Sequence, residues 1–247
     1  MKTSERQHLK DNDLALALAT LQAWYEKNQG MVLGIAGAIA LVAVGVSGYS
    51  AWQGSVDTKA RAMLAEAMVV EESRVMPPGP PAGTTNDPTA IAGQAPGTYP
   101  TEKAKLEAAL PKFLAAADAY PTNAAGLTAR YHAAAALVGL GRFDEAIAQY
   151  ERVAAGGDAV VARMAALGKA EAQVRARQFD PAIATLKDLA AKADSGLPAD
   201  GVLMELARAY RLAGKTEEAK KTLTEVVEKH ADSPFAADAK AELAKLG

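Results

Sequence analysis

Cysteine is absent from all 247 residues, which removes disulfides, thiol catalysis, thiolate metal sites and a lipid-bearing cysteine together. Basic excess is missing too. The 27 Lys and Arg stand against 29 Asp and Glu for a formal net charge of −2, so nucleic acid is not an expected partner. Aromatics make up only 5% of the chain, too few for strands packed by bulky side chains. The three histidines, His8, His132 and His230, have no metal-ligand spacing, and His230 falls at an expected helix end, where a cation suits the dipole. The turn "GGDA" at 156–159 lacks the Lys and Ser/Thr of a phosphate loop. No catalytic residue, metal or cofactor is therefore expected.

What the chain does have is alanine, 58 residues of it, and that composition favours closely packed helices: the expected class is all-α. Charge vanishes between Lys27 and Asp57. Within that gap Met31 to Trp52 would span about 33 Å as a helix, enough for a bilayer core, and Trp24, Tyr25, Tyr49 and Trp52 flank it where amphipathic rings favour the headgroup zone. Some 30 residues precede the run, and it is longer than a signal-peptide core, which favours a retained anchor; small residues around Ser47 to Ser50 leave cleavage as the competing reading. Gly30, Gly34, Gly37, Gly45 and Gly48 form a small-residue track for packing against another membrane helix. Lys and Arg lie on both sides of the run, so charge alone does not fix its orientation.

The expected layout follows. Residues 1–30 form a tail with a short amphipathic helix carrying Leu14, Leu18, Leu21 and Tyr25 on one face, fit for a bilayer or a partner. Residues 31–52 form the single transmembrane helix and 53–76 a membrane-proximal helix. Residues 77–100 hold seven Pro and four Gly, the composition of a disordered linker. Residues 101–247 form the repeat domain.

Three segments in that domain align: "AAAALVGLGRFDEAIAQYERVA", "GKAEAQVRARQFDPAIATLKDLA" and "MELARAYRLAGKTEEAKKTLTEVV". Their Ala146, Ala182 and Ala219 are 36 and 37 residues apart, a helical-hairpin period. Leu206, Ala207, Tyr210, Gly214 and Ala219 fall where a tetratricopeptide repeat needs small crossings, an aromatic and a turn. The middle segment is weakest, with Arg177 in place of the turn glycine. Residues 58–75 and 101–120 predict an earlier hairpin, its second stripe interrupted by Pro111, and a capping helix begins near Ser233. The fold expected is an N-terminal transmembrane helix followed by an α-solenoid of tetratricopeptide-like hairpins.

The tail, "AWYEKNQG", the Gly-rich helix ending in "YSAW" and the repeats after it resemble the ancillary SecYEG translocon subunit (YfgM-like) family of membrane-anchored tetratricopeptide proteins. The resemblance implies a cytoplasmic N-terminus, a periplasmic repeat domain at the bacterial inner membrane, and partners among the translocon and periplasmic chaperones. The competing roles are a scaffold for another envelope assembly, such as cytochrome maturation, secretion or division, and a self-associating structural protein.

In such a solenoid the first helix of each hairpin lines the concave face. Counting from the turns, the groove candidates are Tyr131 and Val138, then Met164, Leu167, Glu171 and Arg175, then Met204, Arg208 and Arg211. That register predicts an apolar middle and a basic far end, where arginines would hold a partner's carboxylate. The alternative is that Met164, Leu167 and Met204 are core side chains.

Overall fold

The computed structural model describes residues 3–79, 93–192 and 196–247. Their helices are α1 (Thr3–Glu71), α2 (Glu102–Ala119), α3 (Ala124–Gly139), α4 (Phe143–Gly156), α5 (Ala159–Arg175), α6 (Phe179–Ala190), α7 (Ala199–Leu212), α8 (Thr216–Lys229) and α9 (Ala236–Leu246). The chain divides into two compact units, Met1–Val56 and Asp57–Gly247.

In the first unit α1 is interrupted once. Asn28 leaves helical geometry at φ −118°, ψ 19°, and its side-chain amide donates to the Trp24 carbonyl at 2.8 Å. A side chain bonded to the carbonyl four residues back competes with the backbone ladder and bends the helix there. Leu33, Ile39, Leu41, Val44 and their neighbours are exposed. One stretch of α1 has a mean hydropathy of 2.2 with no residue of it buried, so the helix is long and apolar enough to cross a membrane.

The second unit begins with the last turns of α1, because Ala60 and Ala67 are buried and Met63, Leu64, Met68 and Val70 pack against the same core as Leu110 and Phe113 of α2. Pro111 does not end α2. Its ring is exposed, and the helix runs through it with Leu110 and Phe113 buried on the inner side. Three polar pairs tie the end of α1 to its neighbours: Asp57 with Asn123, Glu66 with Lys112, and Glu71 with His132 at 2.9 Å. His132 also stacks on Phe113 at 5.2 Å between centroids.

The linker expected over 77–100 is described only at its ends, residues 80–92 lying outside the described residues. Those ends meet. Arg74–Val75 and Thr98–Tyr99 pair as two short parallel strands, β1 and β2, in the register Arg74 to Thr98 and Val75 to Tyr99. The Met76 N–H donates to the Tyr99 carbonyl at 2.9 Å and the Gly79 N–H to the Gly93 carbonyl at 2.8 Å. The second compact unit starts at Asp57, ahead of this stretch.

From Ala124 onward three hairpins follow, α3/α4, α5/α6 and α7/α8, with α9 as the cap. Their alanine seams superpose in sequence: Ala134, Ala170 and Ala207 on the first helices and Ala146, Ala182 and Ala219 on the second are all buried, letting backbones cross closely. Large partners fill in at Tyr150, Leu186 and Leu223, and at Val153, Leu189 and Val226. Each internal turn closes the same way. The N–H of Arg142, Gln178 and Lys215 reaches back to Leu137, Gln173 and Tyr210, and the preceding residue bonds three back. That Schellman pattern needs a left-handed residue, supplied by Gly141 (φ 75°), Arg177 (φ 62°) and Gly214 (φ 75°). Successive hairpins are also pinned side by side, with Gln178 donating to Asp144 at 3.1 Å and Lys215 to Asp180 at 2.8 Å from equivalent positions. The core forms two clusters, one from the end of α1 to α5 and one from α5 to α9.

Candidate partner-binding groove

The first helices of successive hairpins touch, α3 with α5 and α5 with α7. Between α3 and α5 lies a cavity of about 450 Å³ lined by Leu127, Tyr131, His132, Val161 and Met164, with Thr122 and Asp158 at its rim. It is mostly apolar. Met164 is 42% exposed there, while Tyr131 is half-buried and meets Tyr150 edge-on at 5.3 Å. Burial, and then the carboxylate of Glu171, push the Tyr131 hydroxyl above the usual phenol range, so it stays a neutral hydrogen-bonding group. Tyr150 lies against Gly168, where a Cβ would come within 2.6 Å of its ring; glycine there is a packing requirement. Asp158 holds the start of α5 by accepting from the N–H groups of Val160 and Val161, both at 2.9 Å.

The second hollow, about 300 Å³, lies between α7 and α9 over Leu223. Met204, Arg208 and Arg211 line it together with Glu205, Phe235, Asp238 and Glu242. The far end is thus not basic. Arg208 faces Glu205 at 3.6 Å and Arg211 faces Glu242 at 3.7 Å, so two arginines are matched by three acids, two of them from the capping helix. Charges midway along the face are paired as well, Glu171 with Arg175 at 2.8 Å.

Of the residues expected in the groove, Tyr131 and Met164 share the first hollow, and Met204, Arg208 and Arg211 share the second. Val138 packs against the first core cluster and Leu167 against the second, while Met204 both packs against the second cluster and lines its hollow. Leu127, Val161, Phe235, Asp238 and Glu242 were not expected there. Leu127 and Val161 sit one turn before residues that were, a signal readable from helical spacing; the α9 residues depend on how the cap docks. Among the glycines of α1, a Cβ at Gly30, Gly34, Gly37, Gly45 or Gly48 would meet nothing within 4 Å, so their faces are open in the single chain. No cluster of His, Cys, Asp and Glu able to hold a metal occurs among the described residues.

A family model for the tetratricopeptide repeat matches residues 202–233, the α7/α8 hairpin. The solenoid is tetratricopeptide-like. Among solved structures it is similar to nearly identical TPR-like repeats assigned to a kinesin light chain of Podosopora anserina, with a TM-score of 0.51 and 21% identity over 57% of this chain and 77% of that one. A single-substitution variant of the same repeats matches equally. At that identity the likeness is one of fold. A comparison with curated proteins gives no match. No enzyme family is indicated, and a tetratricopeptide-like solenoid is in general a surface for holding other proteins.

Proposed function

We propose that the chain is a membrane-anchored adaptor that acts by protein–protein binding, with α1 as its anchor and the first-helix face of the solenoid as its working surface. The observation that carries this is the apolar hollow between α3 and α5, in which Tyr131, Leu127, Val161 and a partly exposed Met164 line about 450 Å³ on the face where such solenoids hold partners. A contiguous apolar patch left open at a surface hollow is the kind of feature that marks a protein-binding site. Thioether and aromatic groups accept varied apolar segments.

The finer reading rests on the sequence resemblance. The N-terminus is cytoplasmic, the solenoid periplasmic, and the partners are the SecYEG translocon and periplasmic chaperones receiving exported chains. The paired arginines of the second hollow contribute specificity rather than the main hold, since a partner's carboxylate there must displace Glu205 or Glu242.

A photo-crosslinking residue at Met164, followed by extraction in mild detergent, tests the surface and the partner together. Crosslinks to translocon subunits or periplasmic chaperones support the full reading, and crosslinks to another envelope complex replace the partner while keeping the adaptor. Crosslinks only between copies of the chain favour a structural role, for which the open glycine track of α1 is the favouring feature. Equal crosslinking from Lys187, on the exposed side of α6, would remove the groove from the account. Protease added to spheroplasts should trim the repeats and spare a tag at residue 2.

A further inference from the structure

The break at Asn28 separates two helical stretches with different surfaces. After it, apolar residues surround the helix on every side, as in a membrane-crossing segment. Before it, Leu14, Leu18, Leu21 and Tyr25 recur at helical spacing on one side, and Leu16, Ala19, Ala23, Glu26 and Lys27 occupy the other, with Leu16 its one large apolar residue. Leu18, Leu21 and Trp24 are 60%, 68% and 56% exposed, with nothing in the first unit covering them; the Leu14 side chain lies outside the described residues. A helix that continued straight out of a bilayer would hold that face in water. A helix that bends at the point of entry can instead lay it into the boundary between headgroups and acyl chains. Trp24 and Tyr25, the residues immediately ahead of the bend, are the types that favour that depth.

We infer that the helix ahead of Asn28 lies along the membrane–water interface, its Leu18–Leu21–Tyr25 face against lipid and its Ala19–Ala23–Glu26 side toward water. This rests on α1 being a membrane anchor. The occupant of the face is lipid because the face runs directly into the apolar stretch that follows the bend, so one continuous surface meets one medium. The attraction is not electrostatic. Lys2, Arg6, Lys10 and Lys27 are cancelled by Glu5, Asp11, Asp13 and Glu26, so anionic headgroups gain nothing from this segment. The contact depends on apolar burial and is indifferent to lipid charge.

Because the chain has no cysteine, single cysteines report without background. The full chain, carrying a nitroxide at Leu18→Cys, Leu21→Cys, Ala19→Cys, Ala23→Cys or Ile39→Cys, is reconstituted into phosphatidylcholine vesicles, and collisions with oxygen and with a water-soluble nickel chelate are compared. Labels at 18 and 21 should favour oxygen several-fold more than labels at 19 and 23, at shallower depth than the label at 39. Replacing part of the phosphatidylcholine by phosphatidylglycerol should leave that pattern in place. Uniform nickel accessibility at 18, 19, 21 and 23 with the label at 39 still in lipid would overturn the inference alone. Nickel access at 39 would sink the anchor reading instead. Labels at 18 and 21 shielded from both reagents and broadened by neighbouring labels would show a second copy covering the face, and a pattern that appears only with phosphatidylglycerol would show an electrostatic contact; either overturns the proposal.

Discussion

The middle hairpin, α5/α6, and the one after it, α7/α8, share a backbone and an alanine seam but differ wherever a repeat can be tuned. Where the third hairpin has Leu206, Tyr210 and Gly214, the middle one has Lys169, Gln173 and Arg177. Lys169 turns outward to Glu151 at 3.6 Å. Gln173 is buried, and its side-chain carbonyl has no hydrogen-bond partner; Arg163, opposite Asp200 in the alignment, likewise buries an Nε without one. Asp200 instead accepts from the Gly201 N–H at 2.9 Å and from the Ser233 hydroxyl. The difference teaches which positions define the fold. Small residues at the helix crossings and large ones beside them are kept, while the turn and the flanking polar sites tolerate costs of about 1 kcal/mol each.

If the seam holds the middle hairpin, opening it should cost the most. Leu186→Ala, deleting a side chain that is fully buried, should destabilise the second unit by about 2–5 kcal/mol in thermal or denaturant unfolding followed by circular dichroism in detergent. A loss equal to that of an exposed control would mean that the neighbours already carry this hairpin. Gln173→Leu should act in the opposite direction. It removes an orphaned buried acceptor and restores the type found at Leu137, for a gain of about 1–2 kcal/mol. Arg177→Gly relieves a side chain held at φ 62° and should gain somewhat less, about 1 kcal/mol, with Gly214→Arg losing a similar amount. The smallest expected effect separates the hairpins by pH. The hydrogen bond from Ser233 holds the Asp200 carboxyl below its ordinary range, helped by the Gly201 N–H. A lowered folded-state value means that its stabilisation is complete above the ordinary aspartate range, about pH 4, and is lost as pH falls below it through the folded-state value. The melting temperature should drop on that acidification, and Asp200→Asn should flatten the drop.

Much of this architecture is legible in the residues themselves. The spacing of Ala146, Ala182 and Ala219 gives the hairpins because only a small side chain lets two helices cross so closely, and Gly141 and Gly214 give the turns because the left-handed backbone favours glycine. Arg177 is readable only by position within the repeat, not by its own chemistry. Tyr131 with Met164, and Met204 with Arg208 and Arg211, fall into shared hollows because helical periodicity places them on one face. The acidic complement of the second hollow was hidden. It depends on Asp238 and Glu242, which reach it through the docking of α9, a contact that no local pattern encodes. The meeting of Val75 with Tyr99 was hidden too, since six prolines in the intervening stretch read as a chain with nothing to pair to.

That meeting gives the repeat unit a port for evolutionary and engineering change. The Gly79 N–H on the Gly93 carbonyl brings the departing and returning chain to one place, so the distance to be closed is the same whatever lies between them. Lengthening a loop whose ends already touch adds only about 0.6 kcal/mol per doubling of its length. A reporter domain with neighbouring termini, grafted between 79 and 93, should therefore be carried by the solenoid with little disturbance, whereas the same graft between α5 and α6 would sever the turn at Arg177.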